Sequence, residues 1–394
     1  MNGAQSHLDT WDPKPELAKR SGDSVAGEGM RGGNLYASPF KFNKMGKSGI
    51  EVSEVFPELG KMVDEMTIVR SMYTDIPNHE DGELLMNTGD FRLPKPSMGT
   101  WVLYGLGTEN QNLPGFVSLS SGGMPNARNW ASAFMPGAFQ GTFVDSSNTK
   151  IEQIIENIRN QYTSHNEQRQ QLDLLYQLNE IHKQKRQAEA QLEARIQTFE
   201  LAFRMQTDAM EAFDVSREPQ SVVTMYGNDR HARQMMMARR LLERGVRYVQ
   251  LWQGGWDTHD NIPGAMPNLA KASDKPIAAF LTDLKQRGML KDTLVVCSTE
   301  FGRTPTRDRP TGRNHNNKAF TAWMAGGGVK GGYVHGATDD LGAAAVTDRV
   351  HVHDLQATIL QLLGFDHTKL TFRSGGRDFR LTNVDGGVVK EIIA

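Results

Sequence analysis

Thr293-Leu-Val-Val-Cys-Ser-Thr-Glu300-Phe-Gly-Arg303 is the stretch on which the fold turns. Residues 293–298 are apolar and rich in β-branched side chains, as in a strand covered on both faces of a parallel sheet. The chain then turns polar at once, placing Glu300 and Arg303 just past the strand. That is where open α/β sheets bind their ligands, in the crevice at the carboxyl ends of strands.

The same form recurs on either side. Residues 246–252 read as a strand and deliver Gly254-Gly-Trp-Asp257-Thr-His259-Asp-Asn261. A helix over 229–244 precedes it, closed by Gly245 at the position after the last turn. Residues 268–289 predict a second helix ending at Gly288. Downstream come a strand over 319–325, a glycine turn at 326–328 and a helix over 354–363. This alternation predicts an α/β fold, a doubly wound and mostly parallel sheet flanked by helices.

Two segments stand apart. Residues 16–50 are rich in Gly, Ser and Lys and read as a long irregular loop. Over 150–213, Leu172, Leu175, Leu178, Leu192, Ile196, Phe199, Phe203 and Met210 recur at helical spacing among Gln, Glu, Lys and Arg. The run is too long for one ordinary helix and predicts an inserted antiparallel helical hairpin within a single domain spanning 1–394. Its charged faces leave open a role as a homo-oligomer arm, against packing back on the body.

Composition closes other routes. The 394 residues carry 44 basic and 46 acidic side chains, so there is no basic footprint for nucleic acid. No apolar run reaches the roughly 18–20 residues of a transmembrane helix. The one cysteine, Cys297, excludes an internal disulfide, and its place in an apolar strand reads as a core thiol.

The polar residues at the strand ends carry the chemistry. Asp257, His259, Glu300, Arg303 and His315 follow successive strands, with His7/Asp9 and Asn78-His79-Glu80-Asp81 upstream. Mixed imidazole and carboxylate donors suit a divalent metal: Zn²⁺, Mn²⁺ or, with more oxygen, Ca²⁺. Arg303 could hold a tetrahedral anion bidentately. Each residue also has a plainer reading: Asp257 and His259 as helix caps, Glu300 with Arg303 as a structural ion pair, Asp9 as part of a surface turn, and Asp354 as a helix N-cap.

Several stretches together resemble the family called domain of unknown function 1501, abundant in planctomycetes. They are Ser6-His-Leu-Asp-Thr-Trp-Asp-Pro-Lys-Pro15, Gly254-Gly-Trp-Asp-Thr-His259, Thr299-Glu-Phe-Gly-Arg-Thr-Pro305, Gly312-Arg-Asn-His315 and Gly375-Gly-Arg-Asp-Phe-Arg-Leu381. That family is similar to the alkaline phosphatase and sulfatase superfamily, which implies that fold. The resemblance implies Asp9, Asp257, His259, Glu300 and His315 as metal ligands. It places the nucleophile position near His79, with Thr74 the nearest upstream hydroxyl. Relatives carry a twin-arginine export signal and a first strand upstream of Met1, implying an extracytoplasmic setting and a natural N-terminus absent from this chain.

The departures from the superfamily pattern are specific. Phe301 stands where Ser-Asp-His-Gly has its histidine, and there is no Cys-x-Pro-x-Arg. The expectation is therefore a metal-dependent hydrolase of sulfate or phosphate esters, acting on a small anionic ester or a sulfated glycan. His79 would be nucleophile or base and Arg303 the anion clamp. The alternative is a catalytically degraded protein that binds or assembles on the same fold.

Overall fold

A computed structural model describes the whole chain except residues 123, 149–153, 155–161, 186–198, 201–202 and 204–210. Its contacts divide it into two units, one of residues 1–93, 220–235 and 253–394, the other of 94–219 and 236–252. Both mix strands and helices, giving an α/β fold. Among the described residues no helix is long and apolar enough to cross a membrane.

The first unit is organised by β1, Met66–Tyr73. Met66, Ile68, Val69 and Met72 are buried, and so are the polar Thr67 and Ser71. The hydroxyls of Thr67 and Ser71 donate to the carbonyls of Lys330 and Asp348, so their burial leaves no hydroxyl proton unmatched. After β1 the chain turns into α1, His79–Thr88, capped by Asn78, whose side chain accepts from Asp81 N. Gly89 closes α1 with φ 68°, a left-handed conformation that favours glycine.

Next come α2 (Ile262–Gln286), β2 (Val295–Cys297), β3 (Gly302–Asp308), β4 (Gly312–Asn316), β5 (Phe320–Ala325), β6 (Tyr333–His335), β7 (Val350–His351) and α3 (Val352–Leu362). The main sheet runs β6–β1–β5–β2, with β7 also on β1. β6 and β7 are parallel to β1, whereas β5 is antiparallel to both β1 and β2. The apolar run at 293–298 is therefore not a parallel strand. It pairs Trp323 with Cys297 in antiparallel fashion, and Val296 is 36% exposed because β2 ends the strand order. Burial of Cys297 pushes its thiol up, away from a reactive thiolate.

Two further expectations change. Asp354 is not the cap of α3; His351 is, its side chain accepting from His353 N while the Asp354 carboxylate accepts from His351 N. His315 does not follow a strand but lies on one, β4, opposite Arg303 of β3 in an antiparallel hairpin with an irregular register between Arg303 and Arg307.

The second unit holds a parallel sheet of Thr142–Asp145, Phe116–Ser120 and Tyr248–Trp252, with Phe116–Ser120 central. Leu103, Phe116 and Trp130 form a core under it. Of the 150–213 segment, helix His165–Lys185 is described, and Leu178 in its apolar series stands 55% exposed. His165 stacks on Phe203 at 4.2 Å and Arg169 pairs bidentately with Glu200, so the stretches around 165–169 and 200–203 meet. Leu192, Ile196 and Met210 lie outside the described residues.

Candidate metal centre

Three pieces of the first unit converge: the start of α1, the loop 253–261, and the β3–β4 hairpin. The loop is stitched in place by the main chain. Gln253 O accepts from Asn2 N, Thr258 O accepts from Arg313 N, and Thr311 O accepts from Ile262 N. Gly312 lets the hairpin lie flat against this loop, since a Cβ there would sit 1.8 Å from His259 O. Gly82 does the same for α1, where a Cβ would come within 3.2 Å of Glu300 Cβ.

Asp257 is the hub. Its Oδ1 lies 3.2 Å from His79 Nε2, 3.2 Å from His259 Nε2 and 3.4 Å from His315 Nε2. His259 Nε2 and His315 Nε2 are 2.9 Å apart. His79, Asp257 and His315 each offer a ligand atom within 4.8 Å of the others. The three distances to Asp257 Oδ1 match the edges of a coordination polyhedron with bonds of about 2.1 Å, whose neighbouring ligand atoms stand about 3.0–3.4 Å apart.

The far side of each ring is already committed. His79 Nδ1 is 2.6 Å from Glu300 Oε1, His259 Nδ1 is 2.7 Å from Asp308 Oδ2, and His315 Nδ1 is 2.8 Å from Pro77 O. Carboxylates and carbonyls only accept, so each Nδ1 carries a proton. In the neutral rings each Nε2 is then a bare lone pair, and all three nitrogens lie within 3.4 Å of Asp257 Oδ1. His79 Nε2 is buried and has no hydrogen-bond partner. Phe301 backs this arrangement, with its ring 5.0 Å from that of His79 and 4.7 Å from that of His315. The phenylalanine that replaces the expected histidine is thus a wall for two imidazoles.

Electrostatics follow from the same contacts. Burial disfavours the Asp257 charge, but the Arg303 hydrogen bond and charge prevail and hold its carboxyl at about 2. Burial also works against protonated His79, yet Glu300 and Asp257 raise its pKa. His315 is lowered, first by burial and then by the neighbouring positive groups. Counting Asp257, Glu300 and Asp308 against Arg303 leaves two negative charges, which a divalent ion balances.

Not every residue singled out from the sequence joins the hub. Asp9 is fully buried and spoken for: Arg313 Nε and Nη2 reach its two oxygens at 2.7 and 3.1 Å, and Ser6 Oγ donates at 2.5 Å. That pairing outweighs burial and holds its carboxyl low. Asp9 is thus an internal counter-ion, not a ligand. Glu300 stands behind His79 rather than at the hub, and also accepts from Gly3 N at 2.8 Å. Arg303 is no free anion clamp. It is fully buried, donating to Ala4 O at 2.9 Å, Gly3 O at 2.6 Å, Arg313 O at 3.2 Å and Asp257 Oδ1 at 2.5 Å. Neither Asp257 nor His259 caps α2, whose N-cap is Asn261.

Asp308 and the Pro77 carbonyl are not among the residues the sequence singles out. Asp308 carries no motif of its own, and its meeting with His259 depends on the hairpin register that sets Asp308 opposite Gly312.

Comparison with known proteins supplies the wider setting. Residues 1–393 match the family described as Protein of unknown function (DUF1501). No curated protein matches the chain in sequence. Among solved structures it is similar to the lipoteichoic acid synthase LtaP from Listeria monocytogenes, at 12% identity and TM-score 0.41, over 86% of this chain and 70% of that one. It is also similar to the phosphonate monoester hydrolase SpPMH from Silicibacter pomeroyi, at 12% identity and TM-score 0.37, over 81% and 71%. The PsFucS1 sulfatase from Pseudoalteromonas sp. matches at 13% identity and TM-score 0.37, over 78% of this chain and 62% of its own length.

Proposed function

The chain belongs to the DUF1501 family, and from the imidazole–carboxylate hub we propose that it is a divalent-cation-dependent hydrolase of sulfate or phosphate esters. The observation that carries this reading is the set of three Nε2 atoms gathered within 3.4 Å of Asp257 Oδ1, each with its Nδ1 proton anchored behind it. Such a set fits a divalent cation, which would take the imidazole lone pairs and cancel the two excess negative charges. His79, Asp257 and His315 would hold the ion, with His259 as a further ligand.

When bound, such an ion polarises an ester oxygen and makes water a stronger nucleophile near neutral pH. The protein's part is to hold and aim. Glu300 and Asp308 fix two imidazoles in one tautomer, Pro77 O fixes the third, and Arg303 keeps Asp257 ionised and oriented. Among the described residues the hub is built of imidazoles, carboxylates and a guanidinium, and on this reading water is the attacking group. His79 serves as a ligand, its Nε2 facing Asp257 rather than standing free for attack. Its family resemblance suggests substrates outside the cytoplasm, such as sulfated glycans.

The test is metal analysis joined to turnover of aryl sulfate and aryl phosphate esters. Turnover that needs added cation and is lost in His315→Ala supports the reading. One observation favours a second one: Arg303 is fully buried and bonded to Ala4 O, Gly3 O and Asp257, leaving the anionic ester without its guanidinium. A chain that binds the cation yet turns over neither ester would be a cation-dependent binding or assembly component.

A further inference from the structure

We propose that Asp308, acting through His259, tunes the centre toward zinc-class transition cations and away from calcium and magnesium. The proposal rests on the cation reading above and adds what sets the ion preference. Without His259 the donors are two imidazoles, His79 and His315, and one carboxylate oxygen already shared with Arg303. With His259 they become three nitrogens and one oxygen, a set that suits Zn²⁺ or Co²⁺. Calcium takes about six to eight oxygen ligands, and magnesium keeps an oxygen octahedron.

His259 is available for this only if its ring is held with Nε2 inward. Asp308 Oδ2 accepts from Nδ1 at 2.7 Å, which fixes the tautomer, the ring orientation and the basicity of Nε2 together. The other two rings are held differently. His315 leans on a main-chain carbonyl, and the carboxylate behind His79, Glu300, is buried and also bonded to Gly3 N and Thr299 Oγ1. Asp308 lies at the end of β3 with its side chain 29% exposed, so it can be changed with little cost to the core. It is a positioning residue, since it reaches the ion only through His259.

The experiment is calorimetric titration of the metal-stripped full chain with Zn²⁺, Co²⁺ and Ca²⁺, in wild type, Asp308→Asn and Asp308→Glu. Thermal unfolding of the stripped proteins serves as the folding control. Wild type should bind Zn²⁺ and Co²⁺ much more tightly than Ca²⁺. Asp308→Asn should weaken Zn²⁺ and Co²⁺ by about 10–100-fold, alter the visible Co²⁺ spectrum and leave Ca²⁺ binding unchanged. Asp308→Glu should recover part of the loss. Zn²⁺ binding unchanged in Asp308→Asn, or an equal loss for all three ions, would overturn the role of Asp308 while leaving the cation reading intact. A wild-type chain that binds none of them overturns both.

Discussion

His259 Nε2 and His315 Nε2 face each other at 2.9 Å, while Asp308 and Pro77 O occupy the opposite nitrogens of the two rings. Two neutral imidazoles so arranged oppose lone pair to lone pair, and two protonated ones oppose charge to charge. A single proton shared between them makes an Nε2–H···Nε2 bond, and a cation bound by both nitrogens would displace that proton. Added Zn²⁺ should therefore raise the melting temperature of the stripped chain. At 100 times its Kd the ion contributes about 2.7 kcal/mol. His315→Ala should remove that dependence, read by calorimetry with and without chelator.

Asp9 and Arg313 are both fully buried and bonded to one another. Asp9→Asn strands a buried guanidinium and should destabilise the fold by roughly 3–5 kcal/mol. The folded-state pKa of Asp9 is depressed, so its contribution is present above the unfolded value of about 3.9 and fades as pH falls through the lower folded value. The stability gap between wild type and Asp9→Asn should accordingly narrow in acid. Cation content should be unchanged in the variant, which separates an internal counter-ion from a ligand.

Glu83 gives the opposite pH dependence. Burial, aided by the negative charge of Glu300, pushes its carboxyl up to about 7. The folded chain then keeps a proton that the unfolded chain has lost, so stability declines as pH rises from about 4.5 to 7. Glu83→Gln should flatten that decline and stabilise the chain above pH 7, by up to about 3 kcal/mol. Urea unfolding at several pH values reads it directly.

Gly312→Ala tests the seam between loop and hairpin. Its new methyl would meet His259 O at 1.8 Å and Asp260 N at 2.4 Å, so main chain must move. A cost of about 1–3 kcal/mol is expected. Zn²⁺ affinity should fall as well, because the movement displaces both His259 and His315. Affinity unchanged despite the lost stability would separate the seam from the centre.

Part of this was open to reading from the sequence. Asp257 and His259 could be picked out because a glycine-bearing loop after an apolar stretch puts polar side chains in one place, and His315 because it ends the stretch Gly312-Arg-Asn-His315. The β-strand reading of 293–298 was sound, but its direction was not, because apolarity reports cover and not pairing; β2 joins antiparallel to β5. Asp9 and Arg303 were assigned to chemistry because charge in a motif looks the same whether it is paired inside or offered outside. What distinguishes them is a partner far along the chain, Arg313 for Asp9 and the Gly3 and Ala4 carbonyls for Arg303. Asp308 was invisible for a related reason: an irregular hairpin register, not local spacing, brings it to His259.

The most direct check is the metal content of the purified full chain after equilibration with Zn²⁺ and gel filtration. It should be measured alongside His79→Ala, Asp257→Ala and His315→Ala variants that melt cooperatively. Retention of about one ion per wild-type chain, and near none in each variant, is the expected result. A folded wild-type chain that retains no ion, or variants that retain as much as wild type, would contradict it.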